Sequence, residues 1–103
     1  MTNKEVENII QQELKLKPDL TNGHGVNVEK CLIEPILQSY LNFMNDYEII
    51  ELWTVLEETF DGNGYKIVFD PNNKIFGLGI MTNKNELMYL GAYGTFSETL
   101  RSM

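Results

Sequence analysis

Residues 65–93, YKIVFDPNNKIFGLGIMTNKNELMYLGAY, decide how the rest of the chain is to be read. Three apolar runs stand out: Tyr65–Asp70, Ile75–Met81 and Leu87–Tyr93. They are rich in β-branched and aromatic residues, and two polar links, Pro71–Lys74 and Thr82–Glu86, separate them. Asn and Pro supply turn geometry, so the pattern predicts strand, turn, strand, turn, strand. Links this short favour antiparallel neighbours, because a parallel pair needs a crossover of about a dozen residues or more. An antiparallel meander is the expectation.

Working outward, Asp61-Gly62-Asn63-Gly64 reads as a turn feeding Tyr65 from the segment Tyr47–Phe60. That segment fits two periods. Ile49, Leu52, Trp53, Leu56 and Phe60 make a helical stripe, whereas Ile49-Ile50 and Trp53-Thr54-Val55 are strand-like. A glycine-rich turn between β-like runs favours the strand, which would make the meander four-stranded. After Tyr93, Gly94 breaks the run, and Thr95 with Glu98 has capping-box spacing for a short final helix. Gly77, Gly79 and Gly91 within the strands suggest a bend or a close approach by a helix.

Towards the N-terminus, Val6, Ile9, Ile10 and Leu14 form an apolar stripe predicting a helix over residues 4–17, capped by Asn3 and stopped by Pro18. Residues 19–25 read as a loop, and residues 26–33 fit either strand or helix. Pro35 suits the first position of a second helix carrying Ile36, Leu37, Tyr40, Leu41 and Met44 and ended by Asn45-Asp46. The fold class expected is α+β: one domain, residues 1–103, with N-terminal helices packed on a three- or four-stranded antiparallel meander and a short C-terminal helix.

With 103 residues, 43% of them hydrophobic, the chain has material for one core. The single cysteine, Cys31, excludes an intramolecular disulfide, the N-terminal residues lack a basic-then-apolar leader, and no apolar run approaches the roughly 20 residues of a membrane span. A cytoplasmic protein is expected. The net charge of −7 is unevenly distributed: residues 28–63 hold Glu29, Glu34, Asp46, Glu48, Glu51, Glu57, Glu58 and Asp61 against Lys30 alone. Such a field repels nucleic acid and anionic membranes and attracts basic proteins; equally, it can serve solubility.

Catalytic and metal signatures fail one by one. Asp61-Gly62-Asn63 opens like a calcium loop, but Tyr65, Lys66 and Asn72 stand at its next ligand, glycine and closing-acid positions. Gly77-Leu78-Gly79 begins a dinucleotide fingerprint that Thr82 ends, in a strand-to-strand context. His24 is the only histidine, set between glycines with no partner ligand at useful spacing, and Cys31 has no base beside it. The adjacent acids Glu57-Glu58 read as surface. No enzyme, no cofactor and no metal are expected.

Glu51-Leu52-Trp53 with Leu56-Glu57-Glu58, Gly64 to Asp70, Phe76-Gly77-Leu78-Gly79, and then Gly91, Tyr93-Gly94, Phe96 and Thr99-Leu100 before Met103 form a pattern over roughly residues 48–103. It resembles the small cytoplasmic immunity proteins encoded beside secreted or contact-delivered bacterial toxins. That resemblance implies a binder of a cognate toxin domain and carries no catalytic positions. Combined with the acidic middle third, it points to a basic client such as a nuclease domain. The contact residues expected are Glu48, Glu51, Trp53, Glu57, Glu58, Phe60 and Asp61, the aromatics as anchors and the acids around them. Trp53 also reads as core, given the aliphatic residues about it. A different reading is a regulatory or ligand-binding domain with a pocket lined by Phe69, Phe76, Tyr89 and Tyr93. A nucleic-acid mimic is a third.

Overall fold

The computed structural model describes residues 2–16, 31–42, 46–57, 65–82 and 84–102. Helix α1 spans Asn3–Leu16 and is followed by five strands: β1 Leu32–Asn42, β2 Glu48–Glu57, β3 Lys66–Asp70, β4 Ile75–Met81 and β5 Leu87–Gly94. A short helix α2, Phe96–Arg101, ends the order. The α+β class holds, with a helix at each end. The sheet is larger than expected and closes on itself in the order β1-β2-β3-β4-β5.

The meander forms where the turn chemistry places it. Between β3 and β4 the Asp70 carboxylate accepts the Asn72 and Asn73 backbone N–H groups at 2.9 and 3.4 Å and the Asn73 side-chain amide at 2.9 Å. Lys74 completes the reversal at φ +54°. Between β4 and β5 the Thr82 N–H donates to the Glu86 carbonyl at 2.8 Å, and Asn85 takes φ +61°. Asp and Asn side chains mimic backbone acceptors and Asn tolerates the left-handed region, which is why these links turn so tightly.

Over Pro35–Asn42 the expected second helix is instead strand β1. Its apolar residues do match a helical period, but pairing with β2 holds the segment extended, with Leu37 exposed on one face and Tyr40 buried on the other, as alternation along a strand requires. Pro35 cannot donate to a ladder, and the β1–β2 register slips there, between Leu32↔Leu56 and Ile36↔Thr54. Met44 and the first residue of the expected helix end Asn45-Asp46 lie outside the described residues, as do Pro18, the loop at 19–25, His24 and the turn at 61–64. Residues 48–57 of the ambiguous fourth segment are strand.

Parity fixes the sense of the closing seam. When each of five strands runs antiparallel to the one before, the first and the fifth run the same way. The seam is accordingly parallel, with Leu41↔Met88 and Asn42↔Tyr89 in register. Bulges supply the coiling that brings those edges together: Val55 on β2, and Leu90 and Tyr93 on β5, are extra residues where the registers shift. Gly91 and Gly94, at φ +148° and +116°, flank the β5 bulges in backbone that side-chain-bearing residues rarely adopt.

A five-stranded barrel has a lumen narrower than the eight-stranded kind, which side chains just fill. Here the inner face carries Tyr40, Leu52, Val68 and Tyr89, with Ile50 and Leu87 partly buried against them. Strand β4 opposes these rings with Gly77 and Gly79. A Cβ on Gly79 would stand 2.8 Å from the Tyr40 ring, and one on Gly77 would stand 2.7 Å from the Tyr89 ring and 2.3 Å from the Gly91 carbonyl oxygen. The glycines thus make room for tyrosines inside the barrel; an approach by a helix is not their role. The Tyr40 hydroxyl lies 2.5 Å from Thr54 Oγ1, which donates to Gln38 Oε1 at 2.6 Å. Thr54 has one proton to give, so Tyr40 donates to Thr54 and the buried hydroxyls are satisfied in series.

The opposite face of the sheet is roofed by the helices. Val6 and Ile10 of α1, Phe96 and Leu100 of α2, and the strand residues Val55, Leu56, Ile67, Phe69, Phe76 and Leu78 form one buried cluster. Phe76 contacts Phe69 and Phe96 with ring centroids 4.7 and 5.6 Å apart. Each such aliphatic or aromatic side chain contributes roughly 1.5–3 kcal/mol by burial. Thr2, ahead of the expected Asn3, caps α1: its hydroxyl and carbonyl accept from the Glu5 N–H, while the Asn3 amide donates to Glu34. The capping box of α2 is formed by Thr95 and Glu98. Glu13 of α1 adds a second tie, accepting from the Phe96 and Ser97 N–H groups at 3.1 and 3.2 Å.

Gly77→Ala is expected to destabilise the fold by roughly 1–3 kcal/mol through overpacking, and by more than Gly79→Ala. The Gly77 clash is with backbone, which cannot swing aside, and urea unfolding of both variants measures the difference. Burial pushes the Tyr40 hydroxyl from 10.0 up to about 12, the Thr54 hydrogen bond opposing and the Glu57 charge adding to it. Tyr89 rises to about 12 through burial and then the nearby Asp70 charge. Above pH 10 the unfolded tyrosines lose protons that the folded ones keep, so stability falls between about pH 10 and 12 and is full below that window. Tyrosinate absorbance followed against pH, beside denaturation at each pH, checks both parts.

Candidate functional site

The cross-strand row Leu37↔Trp53↔Phe69↔Phe76 runs across the outer face of the sheet. Its Phe69–Phe76 end lies under the helices. At the other end Leu37 is 44% exposed and Trp53 is half-buried. The same face continues along β2 through Glu51 to Ile49, which is 69% exposed, opposite Ser39 and Leu41 of β1. The two described helices therefore cover only part of the sheet and leave an apolar strip on β1 and β2 exposed.

That strip floors a groove of about 780 Å³ lined by Leu37, Asn42, Glu48–Glu51, Trp53, Pro71 and Asn72. The β3–β4 turn forms one wall through Pro71 and Asn72, because Trp53 pairs with Phe69 and the chain turns two residues later. Glu48 and Glu51 are the charged residues of the lining, and Asp46 is exposed in the turn before Glu48. The groove carries apolar surface and negative charge together.

Of the seven expected contact residues, the structure brings together Glu48, Glu51 and Trp53. Glu57 belongs elsewhere. A bulge at Val55 changes the side from which β2 presents its remaining residues, and Glu57 comes to pair with Lys66. Lys66 Nζ lies 3.4 Å from Glu57 Oε2, with the lysine side chain 4% and the glutamate 32% exposed. Glu57 is thus the counter-ion of a buried cation. Glu58, Phe60 and Asp61 lie outside the described residues. Glu34 is exposed beside α1, hydrogen-bonded by Asn3, away from the groove lining. The acids of the middle third therefore converge in part: Glu48 and Glu51 share a surface, and Glu34 and Glu57 do not join them.

Sequence reading missed Leu37, Ile49, Pro71 and Asn72. The available signal was alternation in Leu37-Gln38-Ser39-Tyr40-Leu41, which places Leu37 and Leu41 on one side and Tyr40 on the other; the helical period obscured it. The aromatic pocket expected from Phe69, Phe76, Tyr89 and Tyr93 does not assemble. Phe69 and Phe76 pack under the helices, Tyr89 fills the barrel interior, and Tyr93 is exposed. Among the described residues no group of His, Cys, Asp and Glu is placed to hold a metal ion, and no helix is long and apolar enough to cross a membrane.

Comparison with protein-family models, with curated proteins and with solved structures returns no match to this chain.

The two kinds of glutamate separate by mutation. Glu57→Gln leaves Lys66 without its charged partner and is expected to cost about 1–2 kcal/mol, reduced from the fully buried case because Glu57 retains contact with water. Glu51→Gln, on the exposed face, is expected to stay within about 0.5 kcal/mol of wild type. Chemical denaturation of the two variants side by side is the measurement.

Proposed function

We propose that this chain is a non-enzymatic binding protein that neutralises a basic toxin domain, as an immunity protein does, by covering it with the open β1–β2 face. The observation carrying the proposal is the strip left bare by the helices, in which Leu37, Ile49 and Trp53 sit beside Glu48 and Glu51. A half-buried tryptophan with aliphatic neighbours and a charged rim is the composition of a protein-contact centre. The resemblance of residues 48–103 to immunity proteins supports the same role. A nuclease cleft is positive because it holds phosphate, so carboxylates on the docking face raise its rate of encounter. The ligand-pocket reading loses support, since its four aromatics divide among two core layers and the surface.

The client to be tried first is the protein encoded next to this chain, produced with and without it in the same cell. Co-production is expected to restore growth. With the purified pair, Glu48→Lys with Glu51→Lys is expected to slow association at low salt by about tenfold and to flatten its salt dependence. Glu7→Lys with Glu34→Lys, both exposed and outside the groove lining, makes the same change in net charge and serves as the control. Equal slowing by the control, or no change in the double variant, would overturn the assignment of this face.

A further inference from the structure

Resting on that reading of the β1–β2 face, we infer that its groove takes an arginine side chain of the partner, the guanidinium lying on Trp53 and pairing with Glu51. Trp53 and Glu51 are two residues apart on one strand face, so their Cα atoms are separated by about 7 Å along β2. That spacing lets one planar cation cover an indole and meet a carboxylate. Leu37, Ile49 and Pro71 offer apolar surface for the methylene stem and an aliphatic neighbour, and Asn72 adds an amide on the facing wall. Among the described residues, the groove lining holds no lysine or arginine. Arginine is favoured over lysine because its guanidinium stacks on an aromatic face while donating paired hydrogen bonds to a carboxylate; an ammonium is a compact, strongly hydrated point charge.

A second copy of this chain fits the groove less well. Each copy carries a net charge of −7, so self-association face to face would set Glu48 and Glu51 against their own equivalents. The sole arginine of the chain, Arg101, sits on α2, whose buried residues pack over the other part of the sheet. An external basic segment is the occupant to which the charge points.

Trp53 is the only tryptophan, which makes its emission a reporter of the groove. The intact chain is titrated with a blocked Arg-Leu-Arg tripeptide and with its Lys-Leu-Lys counterpart of equal charge. The arginine peptide is expected to change Trp53 emission saturably and to bind about fivefold more tightly than the lysine peptide, the factor that about 1 kcal/mol of stacking represents. Glu51→Gln is expected to weaken the arginine peptide by a similar factor while leaving the emission of the unbound protein unchanged. Amide chemical shifts mapped on binding should cluster on residues 48–53 and 71–72. Equal affinity for the two peptides, an emission change that tracks protein concentration alone, or shifts mapping to another surface would overturn the inference. If a basic client binds through this face yet the arginine peptide does not compete with it, the arginine inference fails while the binding role stands. Loss of both removes the role as well.

Discussion

Everything in this fold depends on seating two tyrosine rings inside a barrel of only five strands. Tyr40 rests against Gly79, and Tyr89 against Gly77. The two glycines stand at alternate positions of β4, the positions that point inward, so one strand contributes almost no volume where its neighbours contribute rings. The rings in turn fill a lumen too narrow for a full complement of large side chains. Tyr40 brings its own hydrogen-bond chain through Thr54 to Gln38, so the polar tip of the ring is satisfied without water. A hydroxyl buried without such partners would cost about 1–3 kcal/mol.

Closing the barrel divides the two sides of the sheet between different tasks. The inner side needs nothing further to cover it. The outer side is roofed by α1 and α2 only over Val55, Leu56, Ile67, Phe69, Phe76 and Leu78. Two helices, of 14 and 6 residues, span part of a sheet whose longest strand has 11. The uncovered remainder is the strip around Leu37, Ile49 and Trp53. Its exposure follows from a mismatch between the area of the sheet and the area of the described helices. Glu13 stabilises that arrangement by tying α1 to the first N–H groups of α2, which keeps the helices together at one end of the sheet.

The charge on the strip also depends on how the strands bend. Residues 48, 51 and 57 look equivalent in a list of acids, yet the bulge at Val55 separates them. Before it, Glu51 stands on the outer face with Trp53; after it, Glu57 meets Lys66 and becomes part of the interior's charge balance. One extra residue in a strand thus converts a surface acid into a structural one.

Local chemistry made much of this legible from the sequence. The three strands of residues 65–93 and their turns were readable because short apolar runs between Asn- and Pro-containing links leave few alternatives. The α1 stripe and the Thr95–Glu98 box were readable for the same reason: each involves residues within one or two turns of each other. Strand β1 was not, since Ile36, Leu37, Tyr40 and Leu41 satisfy a helical period as well as a strand. Only pairing with β2, whose partner residues lie 8 to 18 positions further along the chain, decides between them. The roles of Gly77 and Gly79, the pairing of Glu57 with Lys66, the Glu13 cap and the bare β1–β2 strip all arise between segments distant in the chain. The sequence by itself determined which stretches would be strands and turns over its C-terminal half. Tertiary structure alone decided which faces those strands would hide, because burial is settled by closure of the barrel and the reach of two helices, neither of which is a local property.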